Sequence, residues 1–392
     1  VIRFSSRTPA SLAPNQLSVA VERLRAGGAR LIDLTLSNPT RAGLEYPEAE
    51  ILAALADSRT VRYEPSPRGL PAAREAVAAW HAEQGGEASA DRLILTGSTS
   101  EAYGWLFKLL CEAGDAVMTP RPSYPLFECL AVLEGVRAVQ YPLLEELRWG
   151  TDLAELERWL DPRARALVVV NPNNPTGTYL KRSEWQGLQD FAARKGLALI
   201  VDEVFFDYAW EDDAERVSSL QGRHEALTFT LSGLSKIAAL PQMKLGWIHV
   251  SGPPALRGEA LERLEWIADS YLPVSAPVQY AAGRWLELTP GIQDGILRRL
   301  AENRLAVREL LGDDSAWRAL PAEGGWTMLL DAPRICPEED WALACLEPHH
   351  VLVQPGYFYD FEREALLAIS LLTEPRQFRE ALTRMSPIFR PV

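Results

Sequence analysis

The chain is expected to fold as an α/β protein: a mostly parallel seven-stranded sheet in a large domain, with a smaller α+β domain beside it. Three observations carry this. Seven short, largely apolar runs fall at residues 92–96, 116–119, 138–141, 166–170, 198–202, 227–231 and 246–250. Most are separated by helical stretches, and near-continuous apolar strands alternating with helices describe a sheet covered on both faces. Beyond Trp247 the pattern changes to charged, amphipathic segments at 275–286 and 291–311, with Pro290 between them. At 392 residues the chain exceeds one ordinary core. The expected division is a large domain over 46–279 and a small one made of 1–45 together with 280–392.

Taken in order, residues 15–25 read as a short helix, with Leu17, Val21 and Leu24 at helical spacing and Gly27-Gly28 as its stop. Residues 31–36 alternate as a strand and end in Ser37-Asn38-Pro39-Thr40-Arg41, a proline turn that would matter if it borders a pocket. The proline-stiffened run Arg62-Tyr63-Glu64-Pro65-Ser66-Pro67-Arg68-Gly69, a rigid linker when taken alone, leads into a helix over 71–80. After the seven strands and the charged helical segments come strands near 328–330 and 366–371, then a closing helix from about 374 to 385. There is no internal repeat and no low-complexity linker.

Polar clusters fall where these strands end, which is where ligands bind in such sheets. Thr96-Gly97-Ser98-Thr99-Ser100-Glu101 brings free N–H groups and hydroxyls to a helix N-terminus, a setting for phosphate. An ordinary serine cap would account for one hydroxyl and leave the others. Pro120-Arg121-Pro122-Ser123-Tyr124-Pro125 sets an aromatic in a stiff loop, either to stack on a flat ring or to pack in the core. Asn171-Pro172-Asn173-Asn174-Pro175-Thr176-Gly177 holds three amides that cost too much to bury without partners. Asp202 closes an apolar strand and needs either a cation or strong donors, or serves as a cap. Finally, 229–231 ends in Ser232-Gly233-Leu234-Ser235-Lys236, offering one amine at a loop mouth, a plausible Schiff-base lysine if it is desolvated. Lys244, eight residues on, is a cation for a cofactor phosphate.

Composition narrows the classes. Apolar residues make up 47% and charged residues 24%, as in soluble globular proteins. With 40 basic against 53 acidic residues and a net charge of −13, neither nucleic acid nor an anionic membrane is expected as partner. No eighteen-residue apolar run or signal-peptide core is present, so a cytoplasmic location is expected. Cys111, Cys129, Cys336 and Cys345 lack a Cys-x-x-Cys pair and are expected to be small buried apolar residues. The His349-His350 pair has no ligand-spaced partner, and no metal is expected.

In combination and in order, these clusters resemble the class I/II aminotransferases, pyridoxal 5'-phosphate (PLP) enzymes of the aspartate aminotransferase superfamily, fold type I. The resemblance spans nearly the whole chain and rests above all on Asn-Pro-x-Asn-Pro-Thr-Gly, then Asp202-Glu203, then Ser232 to Lys236. It implies a homodimer and a ping-pong transfer of an amino group from an amino acid or amine donor to a keto or aldehyde acceptor. By resemblance, Lys236 forms the Schiff base with the cofactor and shuttles the proton, and Asp202 pairs with the pyridine nitrogen, which makes the ring an electron sink. Asn174 resembles the amide donor to the ring oxygen and a substrate contact, and Tyr124 the stacking aromatic. Ser98, Thr99, Ser100, Ser235 and Lys244 would surround the phosphate, with Tyr63 reaching it from the partner subunit.

Three positions depart from the family pattern. Phe205 stands where a tyrosine donates to the ring oxygen. Lys244 replaces a phosphate-binding arginine, exchanging a bidentate fork for a point charge. Ala368, in Leu367-Ala368-Ile369-Ser370, occupies the position of the arginine that clamps the substrate α-carboxylate. Either another cation substitutes, with Arg41 beside Asn38 in the pocket-lining turn as the candidate, or the substrate lacks an α-carboxylate. The alternatives to a transaminase are a PLP-dependent carbon–sulfur lyase acting by β-elimination and a non-catalytic PLP-binding sensor.

Overall fold

The computed structural model describes residues 2–9, 13–222, 224–272, 274–312 and 314–390. The chain opens with α1 (Gln16–Ala26), capped by the Asn15 side chain and ended at Gly27, then β1 (Ile32–Asp33), α2 (Glu48–Ala53) and α3 (Pro71–Glu83). The large unit follows as β2 (Leu93–Thr96), α4 (Thr99–Leu110), β3 (Ala116–Arg121), α5 (Leu126–Leu133), β4 (Arg137–Leu144), β5 (Gly150–Thr151), α6 (Leu153–Trp159) and β6 (Ala164–Val170). It continues through α7 (Arg182–Lys195), β7 (Ala198–Asp202), β8 (Thr228–Gly233), α8 (Leu234–Ile237), β9 (Gly246–Ser251) and α9 (Pro254–Tyr271). Then come α10 (Ala276–Leu311), β10 (Arg318–Ala319), β11 (Thr327–Asp331), α11 (Glu338–Leu346), β12 (Val351–Leu352), β13 (Gln354–Pro355), β14 (Leu366–Ser370) and α12 (Pro375–Met385).

All seven expected strands lie in one sheet, in the order β2-β9-β8-β7-β6-β3-β4-β5. Among the described residues that sheet has eight strands, because the two residues of β5 add an antiparallel edge to β4. Pairing is parallel from β4 through β3, β6 and β7 to β8. Strand β9 runs against both of its neighbours, so its first residue, Gly246, lies beside the last residues of β8 and β2.

The runs are apolar throughout because both faces are covered. Val168, Ile200, Phe229 and Ile248 pack with α4 and α9 on one side. Their neighbours Leu167, Val169, Leu199 and Val201 pack with Trp185, Leu188 and Phe191 of α7 on the other. A separate core joins residues 17–42 to 292–389, with β1 paired to β12 and a four-stranded sheet ordered β10-β11-β14-β13.

Two expectations are corrected. Residues 275–286 and 291–311 form one continuous helix, α10, with Pro290 inside it and the expected boundary at 280 within it. Proline removes the backbone bond to the Leu286 carbonyl, and the helix continues because its two halves are each packed into a core. Its first half, through Trp285 and Leu286, packs against α3 and the large sheet; its second half, through Ile292, Ile296 and Leu300, enters the other core. The cysteines are not all interior: Cys345 is buried, Cys111 and Cys336 are partly buried, and Cys129 is exposed. Cys129 lies on α5, which packs its Phe127 and Ala131 inward and leaves its other side to solvent.

Candidate active site

A cavity of about 490 Å³ opens at the carboxyl ends of β2, β3, β6, β7 and β8, and one end of β14 closes it from the other side. Lys236 sits on α8, the short turn that β8 runs into, and Asp202 is the last residue of β7, one strand away. The two share the cavity because parallel neighbours bring their carboxyl ends to one edge.

Asp202 is deeply buried and held by two donors: Tyr103 Oη at 3.0 Å and the Val204 N–H at 3.1 Å. Burial pushes its carboxyl up to about 6, opposed by those two hydrogen bonds and by the nearby Lys236 charge. The Lys236 amine is brought down to about 8, chiefly by desolvation, with Asp202 pulling the other way. It donates to the Ser37 carbonyl at 3.3 Å and lies 5.1 and 4.9 Å from the ring centres of Phe205 and Trp326. Beneath it, Tyr208 Oη donates to the Lys236 carbonyl at 2.6 Å and fixes the turn.

The helix N-terminus at α4 divides its hydroxyls. Ser98 is the cap, its Oγ accepting the Glu101 N–H at 3.2 Å while Glu101 accepts the Gly97 N–H at 2.6 Å, a reciprocal cap of the S-x-x-E type. Thr99 and Ser100 are left to face the cavity, with Ser235 across from them. Gly233 and Gly246 pair across β8 and β9. A Cβ at Gly233 would come 2.8 Å from the Leu245 carbonyl, and one at Gly246 would come 3.1 Å from Ser98 and Thr96. Only glycine lets β8, β9 and the start of α4 approach this closely. The N–H groups, hydroxyls and positive helix end fit a phosphate, and a buried carboxylate with an amine opposite fits a pyridine aldehyde.

Of the expected residues, the fold brings together Thr99, Ser100, Tyr124, Asn174, Asp202, Phe205, Ser235 and Lys236 around this cavity. Among the three amides of the Asn171–Gly177 loop only Asn174 faces it, 3.5 Å from Thr327 Oγ1. Asn171 is turned inward to Glu203 and Val217, and Asn173 to Pro122 and Thr176. Ser98, Asn38, Arg41, Lys244 and Tyr63 do not line it. The Asn38 side chain caps its own turn by accepting from Thr40, and Arg41 and Lys244 are exposed. Tyr63 is 77% exposed on this chain.

Sequence reasoning missed Tyr103, Trp326, Gln354, Phe358 and Tyr359, all of them in the cavity wall. Tyr103 reads as one more apolar position on α4, and the rest lie in the small unit, whose approach to the sheet no local pattern records. The Gly324-Gly325 pair ahead of Trp326 was the one available signal.

Fold and site together place an amine with a lowered pKa and a buried carboxylate at the edge of a covered α/β sheet. A family model for aminotransferase class I and II matches residues 29–385, and the chain belongs to that family. The alanine aminotransferase of Mycobacterium tuberculosis is 30% identical over 93% of this chain and 86% of its own length. The glutamate-pyruvate aminotransferase AlaA of Escherichia coli is 27% identical over 81% of this chain and 80% of its own. Among solved structures, an alanine aminotransferase from Pyrococcus furiosus superposes with a TM-score of 0.88 over 99% of both chains at 22% identity, a likeness of fold. The protein is a transaminase of fold type I, and neither a lyase nor a sensor is favoured. Its family is generally PLP-dependent, and an aminotransferase takes an amino donor and a carbonyl acceptor as substrates.

Proposed function

We propose that this chain holds pyridoxal 5'-phosphate covalently on Lys236 and uses it to exchange an amino group between a donor amine and a carbonyl acceptor at one site. The observation that carries this is the pairing of a desolvated amine with a buried, hydrogen-bonded carboxylate in a cavity bordered by the N-terminus of α4. When bound, the cofactor supplies an electron sink for the charge left when the substrate's C–H bond breaks.

The chain's own residues do the rest. Asp202, kept ionised by Tyr103 and Val204, would pair with the ring nitrogen and favour its protonated form. Thr99, Ser100 and Ser235 hold the phosphate, with Ser98 fixing the helix end they depend on and Lys244 contributing charge from outside the cavity. Asn174 would donate to the ring oxygen, Phe205 offers no such donor, and Tyr124 would stack on the ring. Lys236, neutral above about pH 8, would hold the cofactor and serve as the base that carries the proton released at the substrate carbon. Tyr63 is exposed and suits a role across a homodimer interface. The four unpaired cysteines suit a reducing cytoplasm.

Reconstitution tests the reading. Wild type should take up the cofactor with the yellow colour of a lysine adduct, lose it to the colourless amine form on adding a donor, and regain it with an acceptor. Lys236→Ala should bind without that adduct and fall by about 10³-fold or more in turnover. Full activity in the alanine variant would overturn it.

A further inference from the structure

The walls that this chain's described residues give the cavity carry no guanidinium for a substrate carboxylate. Among the described residues lining it, Lys236 is the sole cation and Asp202 the sole anion. The wall facing them is built from Leu34, Leu36, Phe205, Trp326, Phe358 and Tyr359. Ala368 lies within this wall, on the central strand β14, paired with Gln354 of β13 on one side and Leu329 of β11 on the other. A methyl group stands there and is 2% exposed. The nearby hydroxyl is committed: Ser370 Oγ donates to the Leu36 carbonyl at 2.5 Å and accepts from the Leu372 N–H. Arg121, the last residue of β3, and Arg363, the arginines nearest in sequence to Tyr124 and Ala368, are bound to Glu362 and to Glu145 and Asp331 respectively. A carboxylate placed against this wall would lose its water, find no cation in the wall itself and feel the Asp202 charge, which disfavours it.

We infer that the donor is a primary amine carrying an apolar or aromatic group and no carboxylate on the amine-bearing carbon, and that the acceptor is the matching kind of aldehyde or ketone. This rests on the transaminase chemistry proposed above. The exchange balances without an outside oxidant. The donor carbon loses its amine and one hydrogen and leaves as a carbonyl after water adds, while the acceptor carbon gains both and releases water.

The test is a half-reaction on PLP-loaded protein with matched pairs, 2-phenylethylamine against L-phenylalanine and 3-methylbutylamine against L-leucine, following conversion of the bound cofactor to its amine form. The amine of each pair should be favoured by about 10-fold or more in rate over concentration. The Ala368→Arg variant should move that ratio toward the amino acid by about as much, since it supplies a cation to a site that otherwise leaves the carboxylate unpaired. Equal or greater rates with the amino acids in wild type would overturn the inference while leaving the transaminase intact. No conversion by either class, with the lysine adduct formed, would sink both.

Discussion

Asp202 holds a charge that its burial opposes, and the hydroxyl of Tyr103 is one of two donors that keep it. Replacing Tyr103 by Phe removes a hydrogen bond to the ionised form, so the carboxyl should rise further above about 6, by roughly one unit, about 1.4 kcal/mol. Cofactor affinity of the apoprotein, measured against pH, should weaken on the acid side, with its midpoint moved up in Tyr103→Phe; an unmoved midpoint would show the hydroxyl to be packing alone. Lys236 gives a second test with the opposite sign. Its amine is lowered from 10.5 to about 8, so between those values the folded apoprotein binds fewer protons than the unfolded chain and stability rises with pH. The penalty is complete below about 8 and gone above 10.5. Lys236→Met apoprotein should therefore be more stable than wild type at neutral pH, by no more than about 3 kcal/mol before solvent screening, with the difference closing as pH rises through that window. Denaturation at a series of pH values measures it.

At the scale of elements, Glu203 ties three segments together beneath the site. Its carboxylate accepts from Asn171 Nδ2 at 2.8 Å, Ser218 Oγ at 2.7 Å and the Ser219 N–H at 2.7 Å, joining the end of β6 and the 217–219 loop to the end of β7. Burial raises its pKa, and those donors offset the cost. Glu203→Ala removes three buried hydrogen bonds and leaves the Ser219 N–H without its acceptor, while Asn171 Nδ2 keeps the Val217 carbonyl, and should cost about 3 kcal/mol, seen as a fall of several degrees in the melting temperature of the apoprotein. An unchanged melting temperature would mean that water replaces the carboxylate at no cost. The same scale explains how much of the site could be read from the chain. Residues at strand ends were legible, since a polar cluster after an apolar run marks the edge of a covered sheet: Thr99, Ser100, Asn174, Asp202 and Lys236 all arrive there. Tyr103 was not, because a buried tyrosine on α4 looks like its neighbours Trp105 and Phe107 until a partner for its hydroxyl is known.

The whole molecule sets the remaining question, the exposed Tyr63 on a segment that packs against nothing in its own cavity. If it completes the site of a second copy, Lys236→Ala and Tyr63→Ala chains fail separately for different reasons, and each mixed dimer carries one intact site. Random mixing should then restore about a quarter of the wild-type sites, since half the dimers are mixed and each has one good site. Co-refolding the two variants and measuring turnover decides it: activity no higher than the sum of the separate variants would place Tyr63 outside the reacting site.

By itself the sequence determined the seven strands, their covered sheet and the reactive groups at its edge, because those are written in local apolar runs and in the residues that end them. It could not say which amides face inward, that Ser98 caps while Thr99 and Ser100 are left free, or that α10 runs unbroken through Pro290. Nor could it show that the wall opposite Lys236 is aromatic and uncharged. Those outcomes depend on which distant segments approach one another, and only the packing of the small unit against the sheet decides that.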